Sequence, residues 1–163
     1  MSFGSIPKDL VSHSSRCHPR CLCHSRPRRR FGEGASFGDG DNQRSWRSKA
    51  SRHDGWLQFE PADDAMVFAS CRIRSLSGGR VAISLRVDDY ARIMLNGEWT
   101  GGDRLIRTSR NFEYQTLNLL PGWDTVVVAV INHHGGLNLQ FQIVDSKNHL
   151  EFASGTSGSE EQQ

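Results

Sequence analysis

The feature that most restricts how this chain can fold is a period-two alternation of apolar side chains, which begins near residue 56. In VAISLRV (81–87) the odd positions Val81, Ile83, Leu85 and Val87 are apolar, while Ser84 and Arg86 between them are polar. Such alternation places one side chain set in a core and the other in water, the mark of a half-buried strand. The same parity recurs in Val67, Ala69, Cys71 and Ile73, in Ala91, Ile93 and Leu95, and in Leu137, Leu139, Phe141 and Ile143. The run TVVVAVI (125–131) is apolar on both parities, as a central strand covered on both faces would be. Turn chemistry punctuates these runs at Ser77-Gly78-Gly79, Asn96-Gly97, Gly101-Gly102, Pro121-Gly122 and His134-Gly135-Gly136.

These signals predict about eight strands, near 56–60, 65–74, 80–87, 91–96, 104–108, 114–119, 124–132 and 137–145. No helical stripe of useful length separates them, which excludes parallel βαβ units. The expected fold is all-β, an antiparallel jelly-roll β-sandwich over residues 51–155. Its length suits one compact domain. Cys71 falls on the inward parity of its strand and reads as a small buried hydrophobe. No stretch approaches the roughly 20 apolar residues of a membrane-spanning helix.

Charge separates the first fifty residues from the rest. Residues 1–50 hold ten Lys/Arg against four Asp/Glu, a net of +6, whereas residues 51–163 hold ten against fourteen, a net of −4. The first segment is rich in Ser, Gly and Arg and shows no apolar periodicity. It cannot bury enough surface to offset the entropy of ordering it, so a disordered basic extension is expected over 1–50, and a disordered tail over 156–163. Nothing in it has the continuous apolar centre of a secretory signal. Its abrupt change of character near residue 50 also fits translated upstream sequence. Within it, CHPRCLCH gathers Cys17, His18, Cys21, Cys23 and His24. Five potential ligands crowded into eight residues, with no second pair downstream, make a poor zinc cage, and the cysteine spacing fails the haem-attachment pattern. A solvated, oxidisable cluster is the expectation. The run RPRRR (26–30) lacks an aromatic platform for nucleic acid and reads as a mobile basic tail.

The stretches VDDYARIMLNGEW (87–99) and NLLPGWDTVVVAVINHHGGLNLQFQIVD (118–145) resemble β-sandwich accessory modules of secreted bacterial hydrolases, of the galactose-binding and protective-antigen lectin-like types. The recurring elements are Asp88-Asp89, Asn96-Gly97, Pro121-Gly122-Trp123 and the strands flanking Gly135-Gly136. The segment WLQFEPADDAMVFASCRIRS (56–75) fits the opening strands of such modules. The similarity covers about 90 residues and none of the basic extension. It implies a non-catalytic, carbohydrate-binding module, accessory to a larger exported protein, with a polysaccharide as ligand and a catalytic domain or protein as neighbour. It also implies an extracellular or cell-envelope setting.

In the lectin members, paired aspartates hold a calcium ion that grips sugar hydroxyls. The matching positions are Asp88 and Asp89, with Asn132 as a third oxygen donor. Tyr90 follows where those lectins commonly have glycine. The alternative is that Asp88 and Asp89 cap a strand end through hydrogen bonds to turn N–H groups. Sugar recognition needs exposed ring faces and planar hydrogen-bonding groups. The candidates are Tyr90 and Trp99, which flank one short strand and are expected to share a rim, with Arg104 and Asn111 as added donors. Trp123 is a further candidate, against the expectation that a corner tryptophan packs as core.

Two other functions compete. One is a structural or protein-interaction domain with no ligand site. The other is a small metal-dependent jelly-roll enzyme built on His133-His134. Adjacent histidines on a strand point to opposite faces, and no nucleophile elbow or phosphate loop accompanies them, which argues against catalysis.

Overall fold

A computed structural model of the chain describes residues 10–16, 36–37, 44–49, 51–52, 55–102, 104–108, 111–144 and 149–153. Among the described residues there is no helix, and hence none long and apolar enough to cross a membrane. The strands, in chain order, are β1 (Leu10–Arg16), β2 (Ser36–Phe37), β3 (Arg44–Ser45), β4 (Arg47–Lys49), β5 (Trp56–Gln58), β6 (Ala65–Ser75) and β7 (Gly79–Val87). They continue with β8 (Tyr90–Leu95), β9 (Glu98–Trp99), β10 (Ile106–Arg107), β11 (Glu113–Leu119), β12 (Gly122–Asn132), β13 (Asn138–Val144) and β14 (Leu150–Ala153).

All pairings are antiparallel. The larger sheet runs β10-β8-β12-β6-β1-β4, with β9 beside β8 and β14 beside β6; the smaller runs β11-β7-β13-β5. From β6 onward the chain alternates between the two sheets: β6 in the larger, β7 in the smaller, β8 in the larger, then β11, β12 and β13 in the same way. This winding is that of the expected jelly-roll sandwich. β12 is central, paired with β6 along its whole length and with β8 over Val126–Ile131, and both its parities are largely buried, as TVVVAVI predicts.

The inward layer of the larger sheet is Val67, Ala69, Cys71, Ile73, Ala91, Ile93, Val126, Val128 and Val130. Facing it from the smaller sheet and its flanking loops are Leu57, Ile83, Leu85, Val87, Leu117, Leu119, Leu137, Leu139, Phe141 and Ile143. Burial of this interdigitated apolar surface, at about 25 cal/mol per Å², is what holds the layers together. Burial also pushes the Cys71 thiol up to about 12, so at neutral pH it is an inert, protonated core atom.

Several elements differ from the sequence expectation. The predicted strand at 104–108 narrows to Ile106–Arg107, whose two residues pair with Ala91 and Tyr90. Strand β14 was not anticipated; its Leu150 and Phe152 pack against the core from beside β6. Within residues 1–50, expected to stay outside regular structure, β1 lies along Ala65–Ser70 of β6 and β4 pairs with β1. Backbone hydrogen bonds to a sheet edge need no side-chain alternation in the added strand, so periodicity could not reveal it. The cysteine–histidine cluster at 17–24, the RPRRR run and the 156–163 tail lie outside the described residues.

Candidate functional site

At one end of the sandwich three loops meet: 59–64 between β5 and β6, Asp88-Asp89 between β7 and β8, and 133–137 between β12 and β13. Asp89 takes a positive φ of 66° and its Oδ2 accepts the His133 backbone N–H at 2.7 Å. The Asp88 backbone N–H donates to Asn138 O at 3.1 Å, and Asn138 Nδ2 donates to Asp88 Oδ2 at 3.4 Å. A Cβ on Gly136 would stand 2.7 Å from both of these side chains, which would have to shift to admit it. Asn132, fully buried, donates from Nδ2 to Ala62 O at 2.8 Å. Asp89 thus bonds a turn N–H as a strand-end cap would, while the Asp88 carboxylate meets the Asn138 side chain and Asn132 a backbone carbonyl.

These contacts test the calcium expectation. Asp88 turns toward Asn138, Asp89 toward the His133 backbone and Asn132 toward Ala62. A calcium ion needs six to eight oxygens converging on one point. Among the described residues no three His, Cys, Asp or Glu side chains are grouped to hold a metal. The set does not fit the ion. His133 and His134 likewise diverge: His133 Nδ1 lies 3.5 Å from Asp64 and His134 Nδ1 lies 3.9 Å from Asp63, all four side chains well exposed. Two separate surface pairs do not build a shared catalytic centre.

The aromatic candidates fall elsewhere, on the outer face of the larger sheet. β8 alternates Ala91 and Ile93 inward with Tyr90, Arg92 and Met94 outward. Asn96 and Gly97, with φ of 51° and 87°, form the tight hairpin turn that Asn-Gly favours, and this brings Trp99 opposite Met94. The turn is anchored from beneath: Asn96 Nδ2 donates to the buried Asp124 Oδ1 at 2.5 Å, the Thr125 N–H donates to Asn96 Oδ1 at 2.8 Å, and the Leu120 N–H donates to Asp124 Oδ2 at 3.0 Å. Beyond it, Thr100 N–H donates to Ile93 O at 2.8 Å and Arg92 Nη2 to Gly102 O at 2.7 Å, fixing the 100–102 turn on β8.

Each outward ring is backed by a guanidinium. Arg92 lies 4.2 Å from the Trp99 ring centre, Arg107 lies 5.6 Å from that of Tyr90, and Arg72 lies 4.9 Å from that of Trp123. Tyr90 also meets the His133 ring edge-on at 5.7 Å. Such cation–π contacts hold a ring in place while its other face remains available. Trp99 is 40% exposed and Trp123 42%. Trp123 therefore belongs to the outer face, beside Arg72 and Arg74, and not to the core. Tyr90 and Trp99 share this face but not a rim. Trp99 sits opposite Met94, four residues along β8 from Tyr90, about 13 Å at the rise of a strand.

Arg104 and Asn111 are not brought to these rings. Arg104 forms an ion pair with Glu113 at 3.7 Å, joining the edges of the two sheets on the β10–β11 side. Asn111 is exposed in the loop leading into β11, near the three-loop end. The arginines that do accompany the rings, at 72, 92 and 107, escaped the sequence reading. Parity could have found Arg92, since it lies two residues from Tyr90 on one strand face, but Arg107 and Arg72 reach their rings only through strand pairing.

No protein-family model matches the chain, and no curated protein matches it. Solved structures do overlap with it. A family 35 carbohydrate binding module from Clostridium thermocellum is 15% identical over 55% of this chain and 86% of its own, with a TM-score of 0.40. A family 35 carbohydrate binding module from an environmental isolate is 12% identical over 76% of this chain and 90% of its own, with a TM-score of 0.43. A beta-glucosidase from Kluyveromyces marxianus is 14% identical over 86% of this chain, which spans only 17% of that enzyme, with a TM-score of 0.48.

Proposed function

We propose that the protein is a non-catalytic carbohydrate-binding β-sandwich module, accessory to an exported assembly. Residues 51–155 form its sandwich, and β1 adds to its larger sheet. The observation that carries this reading is Trp99: a large ring held outward on a two-residue strand, two-fifths exposed, with Arg92 stacked on one side. A hydrocarbon core has no use for a ring in that position, whereas the apolar face of a pyranose ring does. Tyr90 with Arg107, and Trp123 with Arg72, offer further stacking and donor groups on the same sheet face. The divergent Asp88, Asp89 and Asn132 favour binding that does not depend on calcium.

A glycan array and affinity electrophoresis of the full chain, repeated with calcium and with EDTA, test the reading. Binding to at least one polysaccharide is expected, lost in Trp99→Ala and unchanged by EDTA. Retention of full affinity in Trp99→Ala and Tyr90→Ala would remove this face from consideration. Loss of binding in EDTA would restore the calcium site.

A further inference from the structure

The outer face of the smaller sheet carries side chains that the Trp99 face does not use. Strand pairing fixes its rows. Tyr114 on β11 is opposite Ser84 on β7, which is opposite Gln142 on β13. In the next row Arg86 on β7 is opposite Gln140 on β13, which is opposite Trp56 on β5. Because the intervening Leu57, Ile83, Leu85, Leu139, Phe141 and Ile143 fill the core, all six of these side chains face outward. The result is a strip crossing all four strands, an aromatic ring at each margin and hydroxyl, amide and guanidinium groups between. Trp56 and Tyr114 are three strand spacings and two residues apart, roughly 16 Å between backbones.

Two details point to a ligand. Tyr114 is 70% exposed, and neither a ring, a cation nor a hydrogen-bond partner accompanies it within the described chain. Ser84 Oγ donates to Gln142 Oε1 at 3.4 Å, which orients that amide and leaves its NH2 group to donate outward. Trp56 is braced as the rings of the other face are, with Arg86 at 5.1 Å from its centre. The charges around the strip are Arg86, engaged on Trp56, Arg52, which bonds Gln58 beside Trp56, Arg80 two rows away, and Asp88, which accepts from Asn138. The charge within the strip, Arg86, is taken up against the Trp56 ring.

We infer that this strip is a second binding surface, taking an extended, neutral polysaccharide laid across the strands. Sugar rings stack on Tyr114 and on Trp56, and the half-buried Gln142 bonds the hydroxyls between, above the buried Ser84 and Gln140. The site is separate from the Trp99 face and stands or falls without it.

The test is affinity electrophoresis of the full chain in gels containing xylan, mixed-linkage β-glucan, galactomannan or polygalacturonate. At least one neutral polymer should retard the wild type. Tyr114→Ala and Gln142→Ala should each weaken that retardation roughly tenfold, while Tyr114→Phe, which keeps the ring, loses far less. Trp99→Ala should leave retardation by that polymer intact, even where it abolishes binding of another polymer held by the Trp99 face. Tyr114 lies at the surface of an edge strand, so thermal melts of its variants should match the wild type and exclude misfolding. Equal retardation of wild type and Tyr114→Ala in every gel overturns the inference, as does retardation by polygalacturonate alone or by none of the polymers. Loss in Trp99→Ala for every retarding polymer, with none in Tyr114→Ala, overturns it too, while leaving the Trp99 face in place.

Discussion

The outer faces of the two sheets arise from one alternation yet differ in character. On the larger sheet Met94, Val127 and Ala129 are buried outside the central core, and the exposed rings stand around them, each against an arginine. On the smaller sheet the outward residues are amides, hydroxyls, Arg80 and Arg86, with Ala82 and Val144 paired toward one end and Tyr114 standing alone. The first face is apolar at its centre and charged at its ring sites; the second is polar over most of its area, with aromatic margins. A jelly-roll fixes which residues face outward and leaves their chemistry free, so one core can support two surfaces of different use.

The largest effect should come from what the faces share. Phe141 is fully enclosed between the layers, and Phe141→Ala should cost about 3–5 kcal/mol in chemical denaturation. Tryptophan fluorescence follows Trp99 and Trp123 on one face and Trp56 on the other. With the buried Trp46 as the fourth reporter, a single transition for all four is expected; two transitions would mean the faces fold as separate units. Next comes Asp124→Ala, at about 2–3 kcal/mol. It leaves the Leu120 N–H and the Asn96 amide without their acceptor in a buried setting. Because that carboxylate anchors the Asn96-Gly97 turn, the variant should also weaken binding on the Trp99 face and spare the Tyr114 strip. Equal loss on both would break the distinction between them.

Much of this was legible in the sequence. Parity placed Val81 to Val87, Val67 to Ile73 and Leu137 to Ile143 on their inner face, put Cys71 in the core, and marked 125–131 as the central strand. Asn96-Gly97 announced its own hairpin. The site was less legible, because a surface is assembled across strands. Tyr90 and Trp99 were identified by type and nearness in sequence, which suggested a loop rim. Only pairing shows that they occupy opposite ends of β8, and that Arg107 and Arg72 reach the rings of Tyr90 and Trp123. Tyr114, Gln142 and Trp56 lie in segments separated by dozens of residues, so nothing local joined them. Asp88 and Asp89 were recognised as a pair, but their side chains go to opposite ends of the β12–β13 loop, at Asn138 and His133.

A smaller effect tests the end that the two faces have in common. Gly136→Ala places a Cβ against the Asp88 and Asn138 side chains, which must shift. About 1 kcal/mol is expected, because both are short and can move only by loosening their mutual contact. Asp88 and Asn138 border the smaller sheet, so any change in glycan affinity should appear on the Tyr114 strip before the Trp99 face.

The smallest effect isolates the guanidinium itself. Arg92→Ala removes the cation over Trp99 and the Nη2 bond to Gly102, and a double-mutant cycle with Trp99→Ala separates the two. A coupling of about 0.5–1 kcal/mol is expected from the stack at a half-exposed site. Arg92→Lys should recover only part of it, since an ammonium lacks the planar surface that lies along the indole. If the coupling vanishes while glycan affinity falls as far as in Trp99→Ala, Arg92 acts as a donor to the sugar and not as the support that holds the ring outward. The Trp99 face would then resemble the Tyr114 strip in working through its polar groups.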